Sequence, residues 1–202
     1  MKSSNLKVDF CSYDAAKYAC KKWHYSKCVP VGKLIKIGTW ENGSFIGCII
    51  YSRGATCNIG SPYGLNQNEC CELTRVALNK HIAPVSQILG LSLKMLKRTN
   101  PGLQLIVSYA DSGQGHYGGI YQATNWIYEG YFDGEVYVKF KGEIYHRRSV
   151  YSKFGTSSVN KIKGAKKVMA PGKHKYIMPL DKKTRRRVIK LSKSYPKLSA
   201  QT

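Results

Sequence analysis

Residues 104–130 read QLIVSYADSGQGHYGGIYQATNWIYEG, and this stretch decides which fold the chain adopts. It begins with a short apolar run ending in Ser108-Tyr109-Ala110-Asp111, which predicts a buried strand with a polar tip. Four glycines between Gly113 and Gly119 predict a turn whose backbone approaches a ligand closely. Apolar residues at helical spacing from Ile120 to Tyr128 predict a helix that Gly130 ends. A strand tip, a turn and a helix start converge in this way at ligand sites of α/β sheets.

The flanking segments predict a mixed α/β sheet, of the α+β kind. The predicted elements are a helix from its N-cap Asp14 to Lys22, a hairpin over 33–52 that turns at Glu41-Asn42-Gly43, a strand over 71–78, a helix over 84–98 and a final hairpin over 135–144. Strand alternation puts Glu72 and Thr74 on one face, and it does not determine whether Arg75 points to the pocket side. This order is similar to the GNAT fold of acyl-CoA-dependent N-acyltransferases. We therefore predict a GNAT-like catalytic domain over 1–155 and a basic C-terminal extension over 156–202.

The formal net charge of +22 is the strongest global signal, because 33 basic residues face 11 acidic ones. The segment 161–193 holds 13 of the basic residues and only Asp181 among the acidic ones. Such a segment favours a polyanionic partner, DNA or RNA, and of the two we predict double-stranded DNA. The alternatives are a solvated tail or a ribosomal-type RNA contact. Asp181 is a predicted N-cap for a short helix whose exposed cations are the predicted DNA contacts Lys182, Lys183, Arg185, Arg186 and Arg187.

The N-terminal segment and the lengths of the apolar runs predict where the protein resides. The N-terminal segment MKSSNLKVDF lacks the apolar core of a secretory signal, and no apolar run reaches the length of about 18 residues that a membrane helix needs. We therefore predict a cytoplasmic protein without a membrane segment, whose seven cysteines are reduced thiols. Cys20, His24 and Cys28 lie four apart, but Pro30 ends the predicted helix and no fourth ligand is evident, so no metal site is predicted there.

A set of motifs in a fixed order sharpens the hypothesis. The set is His24-Tyr25-Ser26-Lys27, Glu72-Leu73-Thr74-Arg75-Val76, the helix with Ser86, Ser108-Tyr109-Ala110-Asp111, Gly119-Ile120-Tyr121-Gln122-Ala123 and Asn125-Trp126. Over residues 10 to 150 these motifs resemble the Mom family of phage DNA-modification proteins. The resemblance implies conversion of DNA adenine to its N6-carbamoylmethyl derivative, which protects phage DNA from host restriction enzymes.

The resemblance also implies the site residues. The implied catalytic residues are His24, Tyr25, Ser86, Asp111 and Tyr121, and the implied substrate or donor contacts are Arg75, Ser108, Tyr109 and Asn125. Asp111 or His24 suits the role of general base toward the adenine amine. Arg75 suits a phosphate or carboxylate, and Tyr121 suits proton donation or stacking. The structural alternatives are that Asp111 caps the glycine turn, that Arg75 pairs with Glu72 or Glu69, and that Tyr121 belongs to the core.

The identity of the molecule that donates the carbamoylmethyl group stays open. Residues 79–90, NKHIAPVSQILG, lack the RxxGxG/A phosphate loop of ordinary acyltransferases, which argues against coenzyme A. An acyl thioester also cannot supply the CH2 group between the adenine nitrogen and the amide carbonyl. Acyl-CoA, another activated donor derived from glycine, and assistance by iron are the candidates. The rival functions are an acetyl-CoA-dependent N-acetyltransferase of a small molecule or peptide, and a nucleic-acid-binding protein without catalysis.

Overall fold

The computed structural model describes residues 5–54, 56–156 and 158–196, and this part of the chain forms ten strands and five α-helices. The strands are β1 (Leu6–Phe10), β2 (Leu34–Glu41), β3 (Ser44–Ser52), β4 (Cys70–Leu78), β5 (Leu105–Asp111), β6 (Ile127–Phe132), β7 (Val136–Phe140), β8 (Glu143–His146), β9 (Lys166–Met169) and β10 (Lys173–Pro179). The helices are α1 (Tyr13–Trp23), α2 (Val85–Thr99), α3 (Gly119–Gln122), α4 (Arg147–Phe154) and α5 (Lys182–Val188). None of the helices in these ranges is long and apolar enough to cross a bilayer.

The chain divides into two compact units. The first comprises the residues up to Tyr109, Gly118–Gly130 and the residues from Lys175 onward, and the second comprises Ala110–Tyr117 and Tyr131–His174. The larger sheet has seven strands in the order β1-β2-β3-β4-β5-β10-β6, and the smaller has three in the order β8-β7-β9. The mixed α/β class predicted from the sequence is confirmed: β1 to β4 run antiparallel, and β5 runs parallel to β4.

The elements with the strongest local sequence signals formed as predicted. Asn42 and Gly43 adopt positive φ angles of 52° and 80°, which is the backbone that a two-residue hairpin turn between β2 and β3 requires. The helix predicted over 84–98 is α2, with Pro84 as its N-cap residue. Its inward face buries Ile88, Leu89, Ser92, Met95 and Leu96. Ser12 caps α1 instead of the predicted Asp14, because the Ser12 hydroxyl accepts the Ala15 N–H at 3.1 Å.

The prediction of a helix from Ile120 to Gly130 is wrong. Only Gly119–Gln122 is helical, and Ile127–Phe132 is strand β6. Asn125 has a φ angle of 59°, a left-handed conformation that asparagine tolerates, and the Trp126 N–H turns back to the Tyr121 carbonyl at 3.0 Å. The apolar residues have helical spacing, but the core packing of Ile127 with the β10 residue Ile177 overrides this local preference.

Besides β6, two strands of the large sheet were not predicted. β1 pairs with β2 at one edge, and β10 lies between β5 and β6. Ile177 of β10 is fully buried with Val107 and with Val188 of α5. The predicted division at residue 155 therefore does not coincide with the compact units, since β10 and α5 pack in the first of them. The functions assigned to the two parts, catalysis and DNA contact, stay predictions. Residues 197–202 of the predicted extension lie outside the described range.

Gly118 allows the chain to pass close to the ring of Tyr176. Its φ angle is 81°, and a Cβ added there would lie 2.3 Å from the ring. We expect Gly118→Ala to lower the free energy of unfolding by about 2–4 kcal/mol, because the left-handed backbone and the steric overlap both cost energy. Gly119→Ala is the matched control: nothing lies within 4 Å of its added Cβ, so no comparable loss is expected. Urea titrations compare the two, and equal midpoints would contradict this packing.

Candidate functional site

Strands β4 and β5 part at their carboxyl ends. Their ladder covers Cys70 to Leu73 paired with Leu105 to Ser108, although β4 continues to Leu78. A β-bulge bends β4 at this point, because Ile50 of β3 pairs with Arg75 and Tyr51 pairs with Leu73, leaving Thr74 as the extra residue. The carboxyl ends of diverging parallel strands are where ligands bind in α/β sheets. The opening between β4 and β5 is therefore the candidate site.

Ser108 and Tyr121 lie at the point where the strands part. The buried Ser108 hydroxyl is 2.8 Å from the Leu73 carbonyl oxygen and 2.7 Å from the Tyr121 hydroxyl. A serine hydroxyl has one hydrogen and a carbonyl only accepts, so Tyr121 donates to Ser108 when both bonds form. Burial is the main cause that raises the pKa of Tyr121 to about 12. Tyr121 therefore stays protonated at neutral pH.

The bulge also determines which side chains of β4 share a face. Glu72 pairs with Ser52, and Arg75 pairs with Ile50, so Glu72 and Arg75 lie on the same face of the sheet. The sequence had grouped Glu72 with Thr74 because regular alternation takes no account of a bulge. Tyr109 follows Val107, the β5 partner of Glu72, by two residues and so joins this face.

Glu72 is a site residue that the sequence did not single out. It is half-buried, and its charge is one of the causes that raise the pKa of both Tyr109 and Tyr121, after burial. Tyr25 likewise contributes to the raised pKa of Tyr121. By strand register, Glu72 and Tyr109 lie on one face of the parted strands, and Ser108 with its partner Tyr121 lies on the other. The signal that could have identified Glu72 is the position of this residue on a predicted strand beside Arg75.

His24 and Tyr25 follow directly after α1. The His24 ring is buried, stacks on Tyr25 with ring centroids 4.3 Å apart, and accepts the Ser26 N–H at Nδ1 over 3.1 Å. Because Nδ1 accepts, the neutral ring carries its hydrogen on Nε2. In this arrangement His24 donates a hydrogen bond more readily than it removes a proton. The helix ends at Trp23, so Cys20, His24 and Cys28 do not share one helical face.

Arg75 fastens β4 to the loop after α1. Its Nε donates to the Cys28 carbonyl at 3.2 Å, and its Nη1 donates to the Thr74 carbonyl at 2.8 Å. Nη2 lies 3.8 Å from the Cys28 sulfur. These contacts orient the guanidinium group and leave donors for a ligand, since arginine has five N–H groups. Its predicted role in binding a phosphate or carboxylate stays a prediction.

The positions of the other predicted residues follow from their local backbone structure. Asp111 belongs to the second unit, where its Oδ1 accepts the Gly113 N–H at 2.9 Å as the cap of a short 3-10 turn. Ser86 lies in the first turn of α2, and Asn125 is exposed in its left-handed turn. The catalytic and binding roles given to these residues stay predictions.

Comparison with known proteins establishes the family. The model of the Mom protein family matches residues 5–197. The chain belongs to the Mom protein family. A curated relative, the methylcarbamoylase Mom of Escherichia phage Mu, is 26% identical over 148 residues, which are 71% of this chain and 61% of the relative. This Mom-family chain thus spans about three fifths of the length of that relative.

Solved structures establish the fold of this Mom-family chain. The spermidine/spermine N-acetyltransferase SpeG of Vibrio cholerae has a TM-score of 0.51 at 10% identity, over 90% of this chain and 96% of that one. A GNAT-family acetyltransferase of Streptococcus pneumoniae has a TM-score of 0.51 at 8% identity, over 88% of this chain and 100% of that one. At such identities the likeness shows the fold alone, and the predicted GNAT-like fold is confirmed.

The loop before α2 does not fit the diphosphate of an acyl-CoA in the Mom-family chain. The buried Glu41 carboxylate accepts the N–H groups of Ile82 and Ala83 at 2.7 and 2.8 Å. Amides at the start of a helix are the groups that bind phosphate in many proteins. In this chain an internal anion instead holds the two amides just before the N-cap Pro84, and a second anion beside it would be repelled.

The iron hypothesis also lacks a ligand set in the described part of the chain. Within residues 5–54, 56–156 and 158–196, no three His, Cys, Asp or Glu side chains are grouped so that they could hold a metal ion. The Nδ1 atom of His24 is already engaged by Ser26. We therefore assign none of the described residues to iron.

Helix α5 contains the cations that the sequence assigned to DNA. Its predicted N-cap is confirmed, since Asp181 Oδ1 accepts the Thr184 N–H at 2.8 Å. Arg187 has a structural role, because its Nη1 donates to the carbonyls of Tyr63 and Gly64 at 3.1 and 3.2 Å. The exposed predicted contacts are Lys182, Lys183, Arg185 and Arg186. DNA binding by these four residues stays a prediction.

Proposed function

We propose that this Mom-family chain is a DNA-modifying transferase that converts adenine in phage DNA to N6-carbamoylmethyladenine and so protects that DNA from host restriction enzymes. The family match over residues 5–197 carries this proposal. The name of the phage Mu relative, a methylcarbamoylase, supports the group that is transferred. The net charge of +22 supports a polyanionic substrate.

The groups at the parted strands suit this chemistry. The exocyclic amine of adenine is a weak nucleophile, because its lone pair is delocalised into the ring, so a base that removes its proton accelerates attack. Glu72 lies on β4 where the strands part, and we assign it the role of base. The Tyr121 hydroxyl donates to Ser108, which leaves its oxygen to accept an N–H of the amine and orient it.

The reaction balances with a donor of the form X–CH2–C(O)NH2. The bond from the adenine nitrogen to the CH2 carbon forms while the bond from that carbon to the leaving group X breaks. The proton of the amine passes to the Glu72 carboxylate, and X leaves with the electron pair of its bond. An adenine inside a duplex cannot reach a recessed site, so it must leave the base stack before it reacts.

Mass spectrometry of nucleosides from the DNA of cells that express the chain tests the proposal. We expect a new adenosine derivative with the mass of an added carbamoylmethyl group, which is absent from cells that carry the empty vector. This DNA should also resist restriction enzymes that read the adenine amine in the major groove. Unmodified DNA from cells with folded protein contradicts the proposal. Acetylated small molecules or peptides would then indicate an acetyltransferase, and DNA binding without modification would indicate a binding protein.

A further inference from the structure

Helix α1 presents an exposed face that combines lysines with tyrosines. Its other face packs Ala16, Ala19 and Cys20 against β3 and β4. Tyr13 and Tyr18 are 54% and 52% exposed, a large aromatic exposure for a helix that is otherwise well packed. The exposed cations on this helix and just after it are Lys17, Lys21, Lys22 and Lys27. Asp14 is the one acidic residue between Tyr13 and Lys27.

This face adjoins the candidate site. Helix α1 ends at Trp23, and the loop that follows is fastened to β4 beside the bulge, because Arg75 Nε donates to the Cys28 carbonyl at 3.2 Å. Lys21 and Lys22 are thus within about one helical turn, roughly 5 Å along the axis, of the end of α1 that leads into the site. The Tyr18 ring is held edge-on against Trp23 with centroids 5.3 Å apart, so this part of the surface is ordered by packing.

Helix α5 begins at the other end of the sheet. The Leu180 N–H donates to the Gln104 carbonyl at 2.8 Å, and Gln104 precedes the first residue of β5. Ser108, at the site, lies four residues further along β5, which is about 13 Å at the rise of a strand. Phosphates that flank a flipped adenine lie next to the site, so α1 is better placed than the start of α5 to contact them.

We infer that the exposed face of α1, with Lys17, Lys21 and Lys22 beside Tyr13 and Tyr18, holds the DNA duplex beside the adenine that is modified. This inference rests on the proposed function. The lysines neutralise backbone phosphates, and the tyrosines contact sugars or stack on a base where the duplex opens. Such contacts give position and affinity and carry little sequence information.

Two variants with equal charge changes test the inference. The first replaces Lys17, Lys21 and Lys22 by Gln, which keeps side-chain length and helix propensity. The control replaces three exposed cations outside α1, Lys33, Lys94 and Arg98, by Gln. Fluorescence anisotropy with a short labelled duplex gives the affinity and its salt dependence. We expect the α1 variant to bind about tenfold or more weakly and to lose about three units of the salt slope, while the control loses less than one.

Several outcomes overturn the inference. If the α1 variant and the control have the same affinity and salt slope, α1 does not hold the duplex. If replacing Lys182, Lys183, Arg185 and Arg186 by Gln has the larger effect, α5 holds it. Tighter binding of the parent protein to single-stranded RNA than to duplex DNA would replace DNA by RNA as the partner of this face. A parent protein that neither binds nor modifies DNA overturns the proposed function, and the role of α1 with it.

Discussion

Glu72→Gln abolishes most of the modification while the protein stays folded. Glutamine keeps the size and much of the hydrogen bonding of glutamate but cannot accept the proton of the adenine amine. Loss of a general base typically lowers a rate by about 10²–10⁴-fold, and we expect a loss in this range. The measurement is the initial rate of N6-carbamoylmethyladenine formation in a cell extract that supports the reaction of the parent protein, read by mass spectrometry of nucleosides.

Asp111→Asn is the matched control for Glu72→Gln, since it makes the same chemical change at the base that the sequence suggested. A large loss with Asp111→Asn and none with Glu72→Gln would transfer the role of base to Asp111. The pH profile gives a second test. Because burial raises the pKa of Tyr121 to about 12, that hydroxyl stays protonated across the neutral range. We therefore expect the rate to rise as the base loses its proton and then to stay level, without a decline caused by Tyr121.

Glu41→Ala gives the largest expected loss of stability. The buried Glu41 carboxylate accepts two backbone N–H groups, those of Ile82 and Ala83. Alanine leaves both donors without this partner, and each hydrogen bond to a charged group is worth about 1.5–3 kcal/mol. We expect the free energy of unfolding to fall by about 3–5 kcal/mol, as measured by urea titration at neutral pH.

The free energy of unfolding of Glu41→Gln should lie between that of the parent protein and that of Glu41→Ala. The amide oxygen of glutamine still accepts a hydrogen bond, while its NH2 group does not. Glu143→Gln is a control at an exposed carboxylate in the second unit, and no measurable change in stability is expected there. If Glu41→Ala unfolds at the same urea concentration as the parent protein, the carboxylate does not fasten the loop before α2. In that case no internal anion would hold these two amides and oppose a phosphate at this loop.

The sequence by itself determined the elements whose signals are local. The hairpin formed because Asn42 and Gly43 suit the positive φ angles of its turn, and α2 formed because its apolar residues recur at helical spacing after Pro84. The capping of α5 by Asp181 is equally local. Ser108 and Tyr121, carried over from family motifs, do lie together, at 2.7 Å.

Only the tertiary structure decided the rest, because the deciding contacts are distant in sequence. β10 joins the sheet beside β5, about 70 positions earlier in the chain, and no local pattern specifies a strand partner. The same packing makes Ile127–Phe132 a strand although its spacing is helical. The bulge at Thr74 reverses the alternation of β4 and so puts Glu72 and Arg75 on one face. Glu41 reaches the amides before α2 across 41 residues, which is why a turn-flanking glutamate in the sequence gave no sign of its role.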